Sequence, residues 1–414
     1  MKFTFLGGAG EVGRSGVLLE TSDARLLLDY GIKIHGATEY PLLFTARLNA
    51  VIPTHAHLDH VGFLPMIFEH QAPPVLATAP TEALAGLLIK DAIKVQELRG
   101  FRVPYSPRAF RRAMESFVLM NYEKPHAISH NTIVTFHDAG HIPGAAIVEV
   151  EADGKRIVYT GDFKLGETHL HKGAKLIRDV DILVIESTYS DRDHPDRKHT
   201  EAELCAEIRD TLEDGGTALL PCFAVGRSQE VCQLLFECDP SLPVYIDGMA
   251  KEASELILAY PSFVKDYRTL RKALSNAEFV SHPKLRRRLI EEPSVIISPA
   301  GMLEGGPALG YLLRLNERSR VIFTGFSVEN TNGWLLLNKG IVRVDGEDRE
   351  IRNAVEYFDL SAHAGRADLL EFIEAAGPQK IFCMHGDHCD EFAAELREKG
   401  FDAVAPKIGE KFGV

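Results

Sequence analysis

The segment NAVIPTHAHLDHVGFLPMIF, residues 49–68, decides how the rest of the sequence is interpreted. A short apolar run, Ala50–Ile52, predicts a β-strand, and an apolar helix is predicted to begin around Val61. Between them lie four potential metal ligands, His55, His57, Asp59 and His60. Alternation along an extended chain directs the first three to similar sides, and the turn into the helix brings the fourth beside them. This spacing favours a metal site over unrelated surface histidines.

The ligand types in this turn indicate which metal it binds. Imidazole and carboxylate groups suit zinc, and no cysteine lies nearby to close a purely structural site. Four ligands in so short a loop cannot all surround one tetrahedral ion and also leave a position for water. The sequence therefore favours two adjacent ions over one.

The same pattern, an apolar β-rich run ending in a polar side chain, recurs along the chain. The runs TIVTFHDAGHIPGA, RIVYTGDFKLG, DILVIESTYS, AVEYFDLSAHAG and KIFCMHGDH deliver His141, Asp162, Glu186, His363 and His385. For any one of these residues, a turn-forming Asp or a hydrogen-bonded His is an equally good interpretation. Their recurrence favours a rigid metal cleft at one edge of a sheet.

A dinucleotide site is the alternative suggested by Gly8-x-Gly10-x-x-Gly13, which follows a short apolar strand and precedes the acid Asp29. That fold requires a helix directly after the glycines. Here two apolar runs, Val17–Leu19 and Leu26–Leu28, flank a polar turn without helical periodicity. We therefore predict strand, turn, strand and no dinucleotide cofactor.

Composition sets wider limits. The 414 residues allow two domains, and 45% hydrophobic and 25% charged residues are ordinary for a globular protein. No apolar run is long enough to cross a bilayer, and the N-terminus lacks the apolar stretch of a secretory signal. The six cysteines form no CxxC pair, so we predict scattered free thiols and a cytoplasmic protein. The net charge of −13 argues against a broad nucleic-acid-coating surface but not against local positive charge.

In these residues, the sequence resembles the metallo-β-lactamase superfamily and, within it, the β-CASP nucleases. Asp29, HAHLDH, His141 and Asp162 look like motifs 1 to 4 of the superfamily. Glu186, His363 and His385 look like the β-CASP motifs A, B and C. Members that process RNA typically carry His at motif C, so the resemblance implies an RNA substrate. It is closest in character to prokaryotic relatives of the cleavage and polyadenylation specificity factor endonuclease.

The resemblance implies a nested α/β fold. Residues 1–192 and 353–414 would form an αββα metallo-β-lactamase sandwich, and residues 193–352 an inserted, Rossmann-like α/β β-CASP domain. Local patterns agree, because ALLPCFAVGRSQEVCQLLFE and PVYIDGMAKEASELILAY each read as strand, turn, helix. Such βαβα alternation predicts a parallel sheet.

The resemblance also implies a ligand set and a mechanism. One Zn²⁺ would be held by His55, His57 and His141, the other by Asp59, His60 and His385, with Asp162 bridging them. Mn²⁺ or another divalent ion is the alternative metal. A bridging hydroxide would attack the RNA phosphodiester, His363 would act as general acid, and Glu186 would orient it. Asp59 completes the catalytic set, and Asp29 would hold a ligand histidine rather than bind metal.

Two basic stretches are candidate contacts for single-stranded RNA. The first contains Arg99, Arg102, Arg108, Arg111 and Arg112 with aromatic residues between them, and the second contains Lys284 and Arg286–Arg288. The alternative for each is a solvated helix face. A glycine-rich loop, residues 298–307, is either a phosphate cradle or a tight turn.

The function expected is endonucleolytic RNA processing or decay by this site. Three alternatives remain open: a 5′-to-3′ exoribonuclease using the same metals, a small-molecule metallo-hydrolase and a non-catalytic RNA-binding subunit. No membrane partner is expected. The sequence leaves open whether the chain acts alone, as a homodimer or within a larger RNA-processing complex.

Overall fold

The computed structural model describes residues 1–35, 37–325 and 327–414. The chain forms two compact units. The first contains Met1–Glu167, His171–Asp193 and Ala362–Val414, and the second contains Thr168–Leu170 and His194–Ser361. The described helices include none with the length and apolar character that a bilayer crossing requires.

The first part of the chain supplies β1 (Lys2–Gly7), β2 (Gly16–Glu20), β3 (Arg25–Leu28), β4 (Lys33–His35), β5 (Ala37–Glu39), β6 (Ala50–Ile52), α1 (Leu58–Val61), α2 (Leu64–Ile67), β7 (Val75–Thr78), α3 (Ala79–Leu98), α4 (Pro107–Glu115), β8 (Phe117–Met120), β9 (His126–Ala127), β10 (Thr132–Asp138), β11 (Ala146–Ala152), β12 (Lys155–Tyr159) and β13 (Ile182–Glu186). The middle supplies α5 (Arg197–Glu213), β14 (Thr217–Pro221), α6 (Arg227–Cys238), β15 (Val244–Ile246), α7 (Ala250–Leu258), a 3₁₀ turn (Pro261–Phe263), α8 (Tyr267–Asn276), β16 (Glu278–Phe279), α9 (Pro283–Arg288), β17 (Ser294–Ser298), α10 (Gly306–Leu312), β18 (Arg320–Phe323), α11 (Asn332–Lys339), β19 (Ile341–Val344), β20 (Glu347–Glu350) and β21 (Ala354–Tyr357). The last part supplies α12 (Arg366–Ala376), β22 (Lys380–Met384), α13 (Cys389–Glu398), β23 (Ala403–Val404) and β24 (Lys411–Gly413).

Two seven-stranded sheets form the first unit, in the orders β24-β1-β2-β3-β6-β7-β8 and β23-β22-β13-β12-β11-β10-β9. Alternate side chains of both sheets point inward, and Phe3 and Phe5 pack on Phe382 with ring centroids 5.4 and 5.2 Å apart. On the outer face of the first sheet, Leu27 packs with residues of the helical segments such as Phe68. The unit is therefore an αββα sandwich, as predicted.

The glycine-rich start of the chain is a turn between strands. β1 pairs antiparallel with β2 and β2 with β3, so strands flank both turns and no helix follows the glycines. Gly8, Gly10 and Gly13 adopt φ angles of 67°, 73° and 108°, a region that glycine enters without steric cost. The strand, turn, strand prediction is confirmed.

The apolar helix predicted to begin around Val61 is present only as short turns. The structure has two single turns, α1 and α2, because backbone groups of this segment bond to residues 30–32 instead of continuing a helix. Tyr30 N–H donates to the carbonyl of His60, Ile32 N–H to that of Leu58, and Phe63 N–H to that of Tyr30, at 2.8–2.9 Å. These bonds fix the ligand turn against the strand end that carries Asp29.

The second unit is built on a six-stranded sheet of order β16-β15-β17-β14-β18-β21. All of its pairings are parallel, as the βαβα alternation predicted. Its last strand, β21, pairs with β18 from Arg320↔Ala354 to Phe323↔Tyr357. The predicted boundary at residue 352 would assign β21 to the metal-binding part, whereas the unit extends to Ser361 because of this pairing.

One cysteine prediction is wrong. Cys205 of α5 and Cys238 of α6 form a disulfide, with Cα atoms 6.6 Å apart. The sequence spacing could not indicate this pair, because the two helices approach only in the folded unit. The other cysteines, residues 222, 232, 383 and 389, are free and buried.

Candidate metal centre

Strand ends of the first unit bring the predicted ligands together. Two clusters form, and in each the ligand atoms lie within 4.8 Å of one another. The first cluster contains His55, His57, His141 and Asp162, and the second contains Asp59, His60, Asp162 and His385. Asp162 belongs to both.

In the first cluster, His57 Nδ1 lies 3.1 Å from His55 Nε2 and 3.2 Å from His141 Nε2. Asp162 Oδ2 lies 3.6 Å from His55 Nε2 and 3.8 Å from His141 Nε2. Three nitrogens and one carboxylate oxygen therefore converge on one point. Their separations suit ligands of a shared ion, since bonds of about 2.0–2.2 Å to a tetrahedral zinc place neighbouring ligand atoms a little over 3 Å apart.

In the second cluster, His60 Nε2 lies 3.4 Å from Asp162 Oδ2 and 3.8 Å from Asp59 Oδ2. His385 faces both carboxylates, with Nε2 3.3 Å from Asp59 Oδ2 and Nδ1 3.4 Å from Asp162 Oδ1. His385 is held by its own backbone, because its N–H donates to the carbonyl of Gly8 at 2.6 Å.

The donor chemistry of both clusters fits divalent cations. His60 Nε2 and Asp162 Oδ1 are buried and accept or donate no hydrogen bond within the described part of the chain. Burying such atoms unsatisfied is costly, whereas a cation would satisfy them. Burial and neighbouring imidazoles hold the pKa of His55 and of His141 well below its usual value. Both rings are therefore neutral, as metal ligands must be.

The pKa of His60 is shifted in the opposite direction to the pKa values of His55 and His141. Burial opposes its protonation, but the carboxylates of Asp162, Asp29 and Asp59 outweigh burial and raise the pKa of His60 well above its usual value. Excess negative charge thus accumulates where the second cluster lies, and bound cations would neutralise it in place of protons.

Asp29 lies behind the second cluster, fully buried, with a φ of 58°. His60 Nδ1–H donates to its Oδ2 at 2.7 Å, Thr54 N–H to its Oδ1 at 2.7 Å, and Tyr159 O–H to its Oδ2 at 2.8 Å. Asp29 therefore fixes the orientation of His60 so that Nε2 faces the other ligands. It is in neither metal cluster.

A third group, Asp162, Glu186 and His363, adjoins the clusters. His363 Nδ1 lies 3.0 Å from Glu186 Oε2 and 3.9 Å from Asp162 Oδ2. The other Glu186 oxygen accepts the Phe163 N–H at 2.8 Å. Burial opposes charging of the ring, but the fields of Glu186 and Asp162 raise the pKa of His363 to about 9. Glu186 therefore holds the His363 ring in a fixed orientation, and the two carboxylates favour its protonated form.

Three supporting residues escaped the sequence analysis: Thr54, Tyr159 and Lys164. Thr54 and Tyr159 bond to Asp29, and the buried Lys164 donates from Nζ to the carbonyl of His363 at 3.1 Å. Two of the three could have been found because they lie close in sequence to predicted ligands. Thr54 precedes His55, and Lys164 lies two residues after Asp162.

The first basic stretch covers the end of α3, the loop after it and α4. Arg99, Arg102, Arg108 and Arg111 are exposed. Arg112 is half-buried, and its Nη1 donates to the carbonyl of Phe68 at 2.8 Å, so this arginine has a structural role. Four of the five arginines thus present positive charge to solvent.

In the second basic stretch, one arginine is already paired with an acidic residue of the same chain. Arg286 forms a two-pronged ion pair with the buried Asp247, at 2.7 and 2.8 Å. In the glycine-rich loop, Leu303 N–H and Ala308 N–H donate to the carbonyls of Ala300 and Pro299. These internal bonds favour the tight-turn interpretation of that loop.

An αββα sandwich with histidines and aspartates gathered at its strand ends is the architecture of a metallo-hydrolase. Residues 18–186 match the metallo-beta-lactamase superfamily domain, residues 228–336 the Beta-Casp domain, and residues 348–406 the Zn-dependent metallo-hydrolase RNA specificity domain.

Similar proteins cover almost the whole chain. "Probable RNase MJ4" of Methanocaldococcus jannaschii is 36% identical over all of both chains. "RNase aCSPSF2" of Saccharolobus solfataricus is 35% identical over 99% of this chain and 84% of its own. "Transcription termination factor FttA" of M. jannaschii is 34% identical over 96% of this chain and 69% of its own. A crystal structure of a protein of unknown function from Enterococcus faecalis V583 shares the fold, with a TM-score of 0.64, 15% identity and 99% coverage of both chains.

The chain belongs to the β-CASP family of the metallo-β-lactamase superfamily. The resemblance inferred from the motifs is therefore confirmed.

Proposed function

We propose that this chain is a metal-dependent ribonuclease that hydrolyses phosphodiester bonds in single-stranded RNA. The observation that carries the proposal is the position of Asp162, which belongs to both ligand clusters and lies 3.9 Å from His363 Nδ1. A candidate cation site and the proposed proton donor therefore lie beside one carboxylate. The RNA substrate is supported by the match to an RNA specificity domain and by the names of the two relatives called RNase.

We infer that two zinc ions bind here, with Mn²⁺ or another divalent ion as the alternative. His55, His57 and His141 would hold one and Asp59, His60 and His385 the other, with Asp162 shared. When bound, such ions supply positive charge for the phosphate and lower the pKa of a water. The side chain of Asp59 is 30% exposed, so this edge of the centre is open to substrate.

His363 is the proposed proton donor to the departing oxygen. Its Nδ1–H is directed at Glu186, which leaves Nε2 to carry the transferred proton. Glu186 cannot rotate freely because its other oxygen accepts the Phe163 N–H. Protonation of the leaving oxygen at the 3′ side would give a 3′-hydroxyl and a 5′-phosphate.

The mode of cleavage is proposed to be endonucleolytic, and a 5′-to-3′ exoribonuclease is the alternative. Zinc-loaded protein incubated with circular single-stranded RNA should cut the circle, because an endonuclease needs no end. Cleavage of linear RNA alone, as a ladder from its 5′ end, would establish the exonuclease. Absence of cleavage of either RNA would favour a small-molecule hydrolase or a non-catalytic RNA-binding subunit and refute the proposal.

Variants separate chemistry from metal binding. His363→Ala and Glu186→Gln should lower kcat about 10²- to 10⁴-fold while both keep the wild-type zinc content. His388→Ala is the matched control, since this histidine lies in the His385 loop, has a half-exposed side chain and belongs to no metal cluster of the described residues. Wild-type cleavage by His363→Ala would remove the proton-donor role.

A further inference from the structure

An open groove of about 580 Å³ lies on the second unit between α6 and α8. Its cationic residues are Arg268, Arg271 and Lys272, and all three are exposed. Because they occupy positions i, i+3 and i+4 of α8, they lie on one face of the helix. Phe236 and Tyr267 are half-buried in the same groove and offer aromatic surface beside the charges.

The three cations form no close ion pair, although the charge of Lys272 helps to lower the pKa of the exposed Asp266. Within the described ranges, no carboxylate lies within 4 Å of any of the three charged groups. Asp266, which begins the helix, uses its oxygens to accept the N–H and O–H of Thr269 at 3.0 and 2.7 Å. Like charges at these spacings destabilise a helix slightly, so the three cations do not stabilise α8 through one another.

Some other basic residues of the same unit have acidic partners. Arg286 on α9 is paired with Asp247, and Arg197 and Arg227 both pair with Glu230. A chain with a net charge of −13 has acids available for such pairing. The three exposed cations and the two half-buried rings of the groove together offer a surface that suits an anionic ligand with aromatic groups.

We propose that the α6–α8 groove binds the phosphodiester backbone of single-stranded RNA, in addition to the metal centre. Three cations along a helix match a chain of singly charged phosphates, and the rings of Tyr267 and Phe236 suit stacking of an unpaired base. An acidic protein segment would use the charges but not the rings. The inference rests on the proposed function for its substrate, but it is tested by binding and not by cleavage.

The test compares two triple variants that lose the same charge. R268Q/R271Q/K272Q removes the groove cations, whereas K124Q/K198Q/K411Q removes three exposed lysines outside it. Binding of a fluorescent 20-nucleotide polyuridylate is measured by anisotropy across salt concentrations, with chelator present and intact RNA verified on a gel. Equal thermal unfolding of the two variants establishes that both fold.

The groove variant should bind RNA roughly 100-fold more weakly at 0.1 M salt. Each phosphate contact on a single strand contributes about 0.7 to the slope of log affinity against log salt concentration, which corresponds to about fivefold in affinity at 0.1 M salt, and three such contacts are removed. Its salt slope should fall by about 2, and the lysine control should change less than threefold. Tyr267→Leu should weaken binding roughly tenfold with an unchanged slope.

Equal affinities of the two triple variants would overturn the proposal. So would polyglutamate binding to the groove as tightly as the RNA, since the ligand would then be an acidic peptide. Failure of the proposed function has a different signature, namely absence of metal-dependent cleavage regardless of how RNA binds.

Discussion

The most informative single substitution is Asp29→Asn. Asparagine has nearly the same shape as aspartate and tolerates the φ of 58° found at this position, so the backbone need not move. The change removes the negative charge and replaces one acceptor oxygen with a donor. Of the groups that donate to Asp29, His60 Nδ1–H at 2.7 Å is the one that belongs to a candidate metal ligand.

The magnitude follows from this contact. A hydrogen bond to a charged group contributes about 1.5–3 kcal/mol, or roughly 10- to 100-fold in an equilibrium constant. Substituting the partner of a ligand histidine typically costs 10- to 100-fold in metal affinity. His55 Nδ1 is instead 3.1 Å from Thr54 Oγ1, so the first cluster loses no direct contact. We therefore expect one zinc equivalent to weaken 10- to 100-fold and the other to change less than threefold.

Competition with a chromophoric chelator resolves the two equivalents. Asp181→Asn is the matched control, because this aspartate also accepts a backbone N–H, from Arg156 at 2.8 Å, but lies before β13 at the end opposite Glu186. The control should bind both equivalents as wild type does. Wild-type affinity for both equivalents in Asp29→Asn would refute the reasoning.

Three further predictions concern other parts of the first unit. Lys164→Met should lower kcat about 10- to 100-fold with unchanged zinc content and KM, and Lys164→Arg should restore part of the rate, because Nζ holds the carbonyl of His363. Glu149 is buried, which raises its pKa, but hydrogen bonds from His137 and Arg156 outweigh burial and lower the pKa from 4.5 to about 2. Its negative charge therefore contributes about 3 kcal/mol to the free energy of unfolding above pH 4.5, and this contribution is lost as the pH falls toward 2. The gap in unfolding free energy between wild type and Glu149→Gln should accordingly be wide at pH 6 and narrow at pH 3 in denaturant titrations, and a constant gap would contradict this. Neutralising Arg108 and Arg111 should reduce the salt slope of RNA binding by about 1.4 if both touch phosphates, and an unchanged slope would assign them to a solvated helix face.

The strands and their polar ends could be predicted from the sequence because both depend on local patterns. Alternation and apolar runs gave β2, β3 and β6, and the ligand residues follow directly in the chain. His385 and Asp59 are far apart in sequence, yet each was recognisable from its own strand end or turn.

What local patterns could not reveal were contacts made after folding. The expected helix after Val61 is interrupted by backbone bonds to residues 30–32. β21 reads as the start of the returning metal-binding segment, but its hydrogen bonds join it to β18. Arg112 and Arg286 read as free charges until their partners Phe68 and Asp247 are seen.

The zinc content of the pure protein tests the central claim most directly. Elemental analysis after zinc reconstitution and removal of loosely bound metal should find about two equivalents per chain in the wild type, since the two clusters share one aspartate. In Asp162→Ala, both equivalents should be lost or strongly weakened. Less than one equivalent in the wild type, or two equivalents retained by the Asp162 variant, would contradict the account.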